Sequence, residues 1–283
     1  MSTAAELIQQ GLYHHRAGQI GLAMERYTEA LRGDPSNADA LYYIAVIACQ
    51  DGQYQQGIDL ARRSLAFNRG QARAHNLIGQ ALHRLGKTKD ALASFDEALA
   101  CDVNFADAYA NRANMLSELG RTAEALSSFD RALALNPNSA TDWLNRGATL
   151  HGIGRIDEAI ASYDRALALD PDFSLIHYNR ADALRDAGRW PQALEGYDRA
   201  LALTADFPEA HVGRAETLRQ LGRPEDALAA VDRALELRPD LAPAYKVRGR
   251  VLQALGRTAE AEASFAKAAD FTAQADKNKA SEA

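Results

Sequence analysis

Eight glycines stand 34 residues apart: Gly18, Gly52, Gly86, Gly120, Gly154, Gly188, Gly222 and Gly256. The spacing never slips, so almost the whole chain consists of copies of one short unit. A fixed period of this length belongs to architectures that stack a supersecondary element. Such a chain grows by addition, each copy touching its neighbours, and its 283 residues need no single thick core. It offers an extended surface rather than one deep catalytic pocket.

Units that begin fourteen residues before each glycine span 4–37, 38–71, 72–105, 106–139, 140–173, 174–207, 208–241 and 242–275, leaving 276–283 as a polar tail. In the unit 140–173, Trp143, Leu144, Gly147, Leu150 and Ile153 recur at helical spacing. Gly154 follows where a helix must end in a positive φ. Residues 156–168 are a second amphipathic run of good helix formers. Pro171 closes the unit, because proline cannot continue a helix. The pattern predicts an all-α solenoid of eight helix-turn-helix units forming one domain, 4–275.

Small residues recur where paired helices must approach. Gly11, Ala45, Gly79, Ala113, Gly147, Ala181, Ala215 and Gly249 share one place in the first helices. Ala23, Gly57, Ala91, Ala125, Ala159, Ala193, Ala227 and Ala261 share one in the second. Tyr27, Phe95, Phe129, Tyr163, Tyr197 and Phe265 supply bulk nearby. Trp143, Gly147, Leu150, Gly154, Ala159, Tyr163, Ala166 and Pro171 carry the fullest version of the signature. On these residues the chain resembles the tetratricopeptide repeat (TPR) family across 4–275. The resemblance implies a right-handed superhelix with the first helices on its concave side. The unit 38–71 departs furthest, with Gly57, Ala61 and Arg69 in place of alanine, aromatic and proline, and is expected to be the loosest.

Composition excludes several functions. A net charge of −6 argues against a nucleic-acid partner. No run of about 18 apolar residues exists, so membrane insertion is not expected. Cys49 and Cys101 make no disulfide framework, and the first residues have neither a basic start nor an apolar run; both point to the cytoplasm. His75, His177 and His211 share one place but lie a repeat or more apart, too far to hold a metal together. They read as packing residues. The run His151-Gly152-Ile153-Gly154 falls at a helix–helix turn without a preceding strand, so it is no phosphate loop. No cofactor, metal or catalytic residue is expected.

Two charged columns are offset by one unit. Arg112, Arg146, Arg180, Arg214 and Arg248 stand on the first helices of units four to eight. Asp96, Asp130, Asp164, Asp198 and Asp232 stand on the second helices of units three to seven. The offset predicts that each aspartate pairs with the arginine sixteen residues on, with coincidental surface charge as the alternative.

By the resemblance, the first helices should line a peptide-binding groove. Its first stretch has Tyr42, Tyr43, Arg73 and Arg84 beside Leu12, His15, Arg16, Leu77 and His83. The middle has Asn76, Asn111, Asn114, Asn145, Tyr178 and Asn179. The last mixes Asp182, Arg185, Asp186, Glu216, Arg219, Lys246 and Arg250. Asn111, Asn145 and Asn179 hold one place in successive units. A carboxamide can both donate to and accept from an extended main chain. This ladder is similar to the one in the TPR superhelix of protein O-GlcNAc transferases. A second TPR class grips chaperone C-termini with lysine, asparagine and arginine; Asn76, Gln80, Thr141 and Asn145 stand at those places instead, so that role is not expected. The leading expectation is a non-enzymatic scaffold that binds a protein or peptide segment. Two alternatives stay open. One is the substrate-recruiting arm of an O-GlcNAc-transferase-like glycosyltransferase. The other is a scaffold that self-associates through its C-terminal end, where the short tail leaves Phe265 and Phe271 with uncertain cover.

Overall fold

The structure is a computed structural model and describes residues 3–282. Eight helix pairs follow one another. They are α1 (Ala4–Arg16) and α2 (Ile20–Gly33), α3 (Ala38–Gln50) and α4 (Tyr54–Phe67), α5 (Ala72–Arg84) and α6 (Thr88–Cys101), α7 (Ala106–Glu118) and α8 (Thr122–Leu135). Then come α9 (Ala140–Gly152) and α10 (Ile156–Leu169), α11 (Ser174–Asp186) and α12 (Trp190–Leu203), α13 (Pro208–Gln220) and α14 (Pro224–Leu237), α15 (Ala242–Ala254) and α16 (Thr258–Glu282). Among the described residues there is no strand. The fold is an all-α solenoid of eight helix-turn-helix units, as the period predicts. The helices group into two compact units that divide between Pro137 and Asn138: unit 1 holds α1–α8 and unit 2 holds α9–α16.

The periodic glycine sets the turn in every repeat. At Gly154 φ is +76°. Its N–H donates to His151 O at 2.9 Å, and the next N–H, of Arg155, donates to Leu150 O at 3.0 Å. This is the Schellman arrangement, which satisfies the last carbonyls of a helix through one left-handed residue. An L-residue with a side chain reaches that conformation only at a steric cost. The chain is therefore folded back after the same number of residues each time. Within each unit, every second helix packs on its own first helix and on the first helix of the next repeat.

Tyr27, Phe95 and Phe129 in unit 1, and Tyr163 and Tyr197 in unit 2, are fully buried. They sit where glycine or alanine gives them room. A Cβ on Gly147 would lie 2.6 Å from Tyr163 Cε1. Tyr197 departs from the pattern. Instead of seating against position 181 of its own repeat alone, its ring covers Gly213 of the next, where an added Cβ would lie 2.5 Å from Cε1. Gly213 stands in the column of Asn111, Asn145 and Asn179. The asparagine column therefore stops where Tyr197 needs the space.

Two expectations are corrected. The repeat 38–71 is not loosened: α3 and α4 keep the 13 and 14 residues of the other pairs. Gly57 admits the Cys49 thiol, Ala61 is fully buried, and Ser64 Oγ donates to Ala38 O at 2.6 Å. Gln71 Nε2 donates to Asp39 Oδ1 at 2.9 Å and ties the repeat to the next. The residues 276–283 do not form a loose tail within the described part, because α16 continues through them to Glu282. Phe271 stacks on Tyr245, with ring centroids 5.5 Å apart and planes at 20°, and Phe265 covers Gly249. The final helix supplies cover for both rings.

The charge ladder is present within both units. Asp96 accepts from Arg112 Nε at 2.6 Å in unit 1. In unit 2, Asp164 accepts from Arg180 at 2.6 Å, Asp198 from Arg214 at 2.6 Å and Asp232 from Arg248 at 2.8 Å. Asp130 and Arg146 belong to different units. Arg112, Arg146 and Arg248 also donate to Ser128, Ser162 and Ser264 of their own repeats. The aspartates are about half exposed. Each pair is therefore a modest contributor of about 0.5–1 kcal/mol, not a buried pair whose loss is severe.

Candidate functional site

In unit 1 the first helices α3, α5 and α7 border a cavity of about 630 Å³. Val46, Leu77, Phe95 and Met115 give it an apolar floor, and Gln50, Gln80, Asn111 and Asn114 bring carboxamides to its wall. Arg84, His83, Cys49 and Tyr54 complete it. Asn76 is buried and does not line this cavity; its Oδ1 accepts from Asn111 Nδ2 at 3.0 Å. That bond fixes the Asn111 carboxamide and leaves its oxygen available. His83 is held by Glu118 at 2.9 Å.

A second cavity of about 240 Å³ lies nearer the N-terminus, lined by Leu12, His15, Arg16, Tyr42, Tyr43 and Val46. Tyr43 stacks on the buried Tyr27, centroids 5.3 Å apart. Burial, then the neighbouring Tyr43, pushes the Tyr27 phenol up to about 12, with Arg16 opposing. Arg73 lies over both Tyr42 and Tyr43, 4.6 Å and 5.1 Å from the ring centroids. It donates to Tyr43 Oη at 2.9 Å and pairs with Asp39. Arg73 thus braces the aromatic wall from the side, with its charge already matched. Burial raises the Tyr42 phenol.

Unit 2 is built differently. Tyr178 packs on Phe207, with centroids 4.8 Å apart, and on Tyr197 at 6.2 Å. Tyr197 Oη donates to Asp182, which also accepts from Arg185 Nη1 at 2.7 Å. Arg185 reaches on to Asp186 at 3.0 Å, and Asp186 holds His151 at 3.0 Å. Burial and the Asp182 carboxylate raise the Tyr178 and Tyr197 phenols far above their ordinary value. Burial works against the Arg185 charge, and Asp182 more than offsets it. Burial likewise opposes ionisation of Glu216, but the hydrogen bond and charge of Arg219 hold its carboxyl below the usual range. A cavity of about 440 Å³ runs past Arg185, Asp186, Trp190, Glu216 and Arg250, so positive and negative groups alternate along it. Asn145 and Asn179 stand on α9 and α11 in this unit, apart from the amide cluster of unit 1.

Sequence reasoning missed Tyr54 and Trp190, which reach the cavities from second helices. The signal was available: both are aromatic at the first position of a second helix, where Thr88, Thr122, Ile156, Pro224 and Thr258 stand elsewhere. The three histidines resolve in one way. His177 and His211 each bond a carbonyl six residues back, Pro171 O at 2.8 Å and Ala205 O at 3.1 Å, as Tyr245 does with Pro239 O at 3.0 Å.

Repeated helix pairs closed by a left-handed glycine, with small-on-aromatic seats between them, define a helical-repeat protein. The tetratricopeptide repeat family model matches residues 110–172, 178–242 and 217–276, more than half of the chain, which therefore belongs to this family. The family model of anaphase-promoting complex (cyclosome) subunit 3 matches residues 16–98. Solved structures share the fold. PilF of Pseudomonas aeruginosa is 19% identical with a TM-score of 0.68, covering 77% of this chain and 99% of its own. The type IV pilus biogenesis factor PilW is 27% identical with a TM-score of 0.61, over 73% and 93%. YrrB, described as a TPR protein with an unusual peptide-binding site, is 22% identical with a TM-score of 0.57, over 65% and 95%. No curated protein sequence matches the chain. Among the described residues no helix is long and apolar enough to cross a membrane.

Proposed function

We propose that this chain is a non-enzymatic protein-interaction scaffold whose first-helix faces hold an extended peptide or partner segment. The observation that carries the reading is the unit 1 cavity between α3, α5 and α7. It pairs an apolar floor with carboxamides that can meet a peptide main chain. An extended segment leaves its N–H and C=O groups unpaired, and desolvating them without partners is costly. Asn111 is pre-oriented by Asn76, which lowers the ordering cost of such a contact. The fold likeness to YrrB supports peptide binding as a use of this architecture.

The test is selection of peptides from a random display library on the full chain, followed by affinity measurement. Asn111→Ala with Asn114→Ala should weaken the selected peptides about tenfold while circular dichroism stays unchanged, since each lost bond is worth about 1 kcal/mol. Equal affinity for both proteins would place the working surface elsewhere.

A further inference from the structure

Two arginines in unit 1 make no hydrogen bond and no ion pair with any described residue. Arg16 and Arg84 hold the same place in repeats one and three, each directly after a histidine, in the pairs His15-Arg16 and His83-Arg84. Both are exposed at the ends of their helices. Each lines a cavity, Arg16 the smaller and Arg84 the larger, and neither cavity has an aspartate or glutamate in its wall. The histidines are occupied: His15 bonds Gln50 and His83 bonds Glu118, each at 2.9 Å. These bonds tie one repeat to the next and direct the acceptor on each following repeat to the imidazole. The guanidiniums are left facing the cavities. Elsewhere on the first helices the pattern is the opposite, with Arg73, Arg185 and Arg219 all paired.

A cation left unpaired beside an apolar-floored groove is poised for an anion from outside the chain. Arg16 and Arg84 are two repeats apart. With adjacent packed helices about 10 Å apart, that separation is on the order of 20 Å, or about six residues of extended chain at roughly 3.3 Å each. From this we infer that the segment bound by unit 1 is an acidic extended peptide. It carries two carboxylates about six residues apart, one for Arg16 and one for Arg84, with apolar side chains between them. The inference rests on the peptide-binding reading above and names its ligand chemistry. A nucleic acid fits less well: the chain carries a net charge of −6, and two isolated guanidiniums between apolar floors make no continuous basic track.

The test uses the full chain in the same display selection, run in parallel on wild type and on the Arg16→Gln, Arg84→Gln double variant. Both positions are exposed, so the variant should fold as wild type does. Wild type should enrich peptides with Asp or Glu five to seven positions apart, and the variant should lose that enrichment. Synthetic copies of the enriched peptides should bind the single variants about three- to tenfold more weakly, and wild type more weakly at 0.5 M than at 0.1 M salt. Enrichment of neutral or basic peptides by both proteins would overturn the acidic ligand and leave peptide binding standing. A single-stranded oligothymidylate that binds wild type more tightly than the best acidic peptide would also overturn it. Failure to enrich any peptide would overturn both readings.

Discussion

The two units share one backbone plan and use charge in opposite ways. Unit 1 keeps Arg16 and Arg84 out of any internal pair and lines its cavities with carboxamides and apolar groups. Unit 2 matches its arginines internally: Arg185 with Asp182 and Asp186, and Arg219 and Arg250 with Glu216. A matched, half-buried pair fixes geometry and stabilises its surroundings. An unmatched exposed cation contributes little to stability and is available to a partner. The comparison teaches that equivalent faces of one repeat plan divide between work on stability and work on recognition.

The largest effect should come from Gly213→Asn, which restores the ladder residue of unit 2 and drives a side chain into the buried Tyr197 ring. Overpacking of this kind costs about 1–3 kcal/mol, so the urea midpoint should fall clearly. Next is Asp182→Ala, which leaves the Tyr197 hydroxyl and the Arg185 charge without their acceptor. A loss of about 2 kcal/mol is expected, and adding Tyr197→Phe should cost less than it does alone in wild type. In contrast, Arg84→Ala should change stability by less than about 0.5 kcal/mol. A loss from Arg84→Ala as large as that from Arg185→Ala would erase the distinction between the units.

Smaller effects sharpen the picture. A double-mutant cycle on Asp164 and Arg180 should give a coupling of about 0.5 kcal/mol, because the aspartate is half exposed. Additive losses would mean that the ladder fixes register without contributing energy. His211 should give the smallest signal. Burial holds its pKa below the ordinary value, and the Ala205 carbonyl only partly offsets this. With a depressed folded pKa, its contribution is fully present above the unfolded imidazole pKa of about 6.5 and is lost as pH falls below it. His211→Tyr, which copies the Tyr245–Pro239 bond of the last repeat, should flatten that part of the stability–pH curve.

The sequence by itself determined the repeat, its helix pairs, its turns and the pairing logic of the Asp–Arg ladder. Each of these depends on near neighbours or on one fixed offset, and a 34-residue period writes such information in register. Tertiary structure decided which groove residues are free. Asn76 and Asn111 look alike in sequence, yet one is buried and serves to hold the other. Arg73 and Arg84 were both candidate groove cations, yet Asp39 and Tyr43 occupy the first. Arg16 stands in the same column as Arg84, and only the cavity walls show that neither meets a carboxylate there. The stop of the asparagine column at Gly213 became intelligible only when Tyr197 was seen to cross into the next repeat. Local periodicity fixes where helices begin and end. The availability of a side chain depends on partners one repeat away or more, whose reach is set by rotamers and packing.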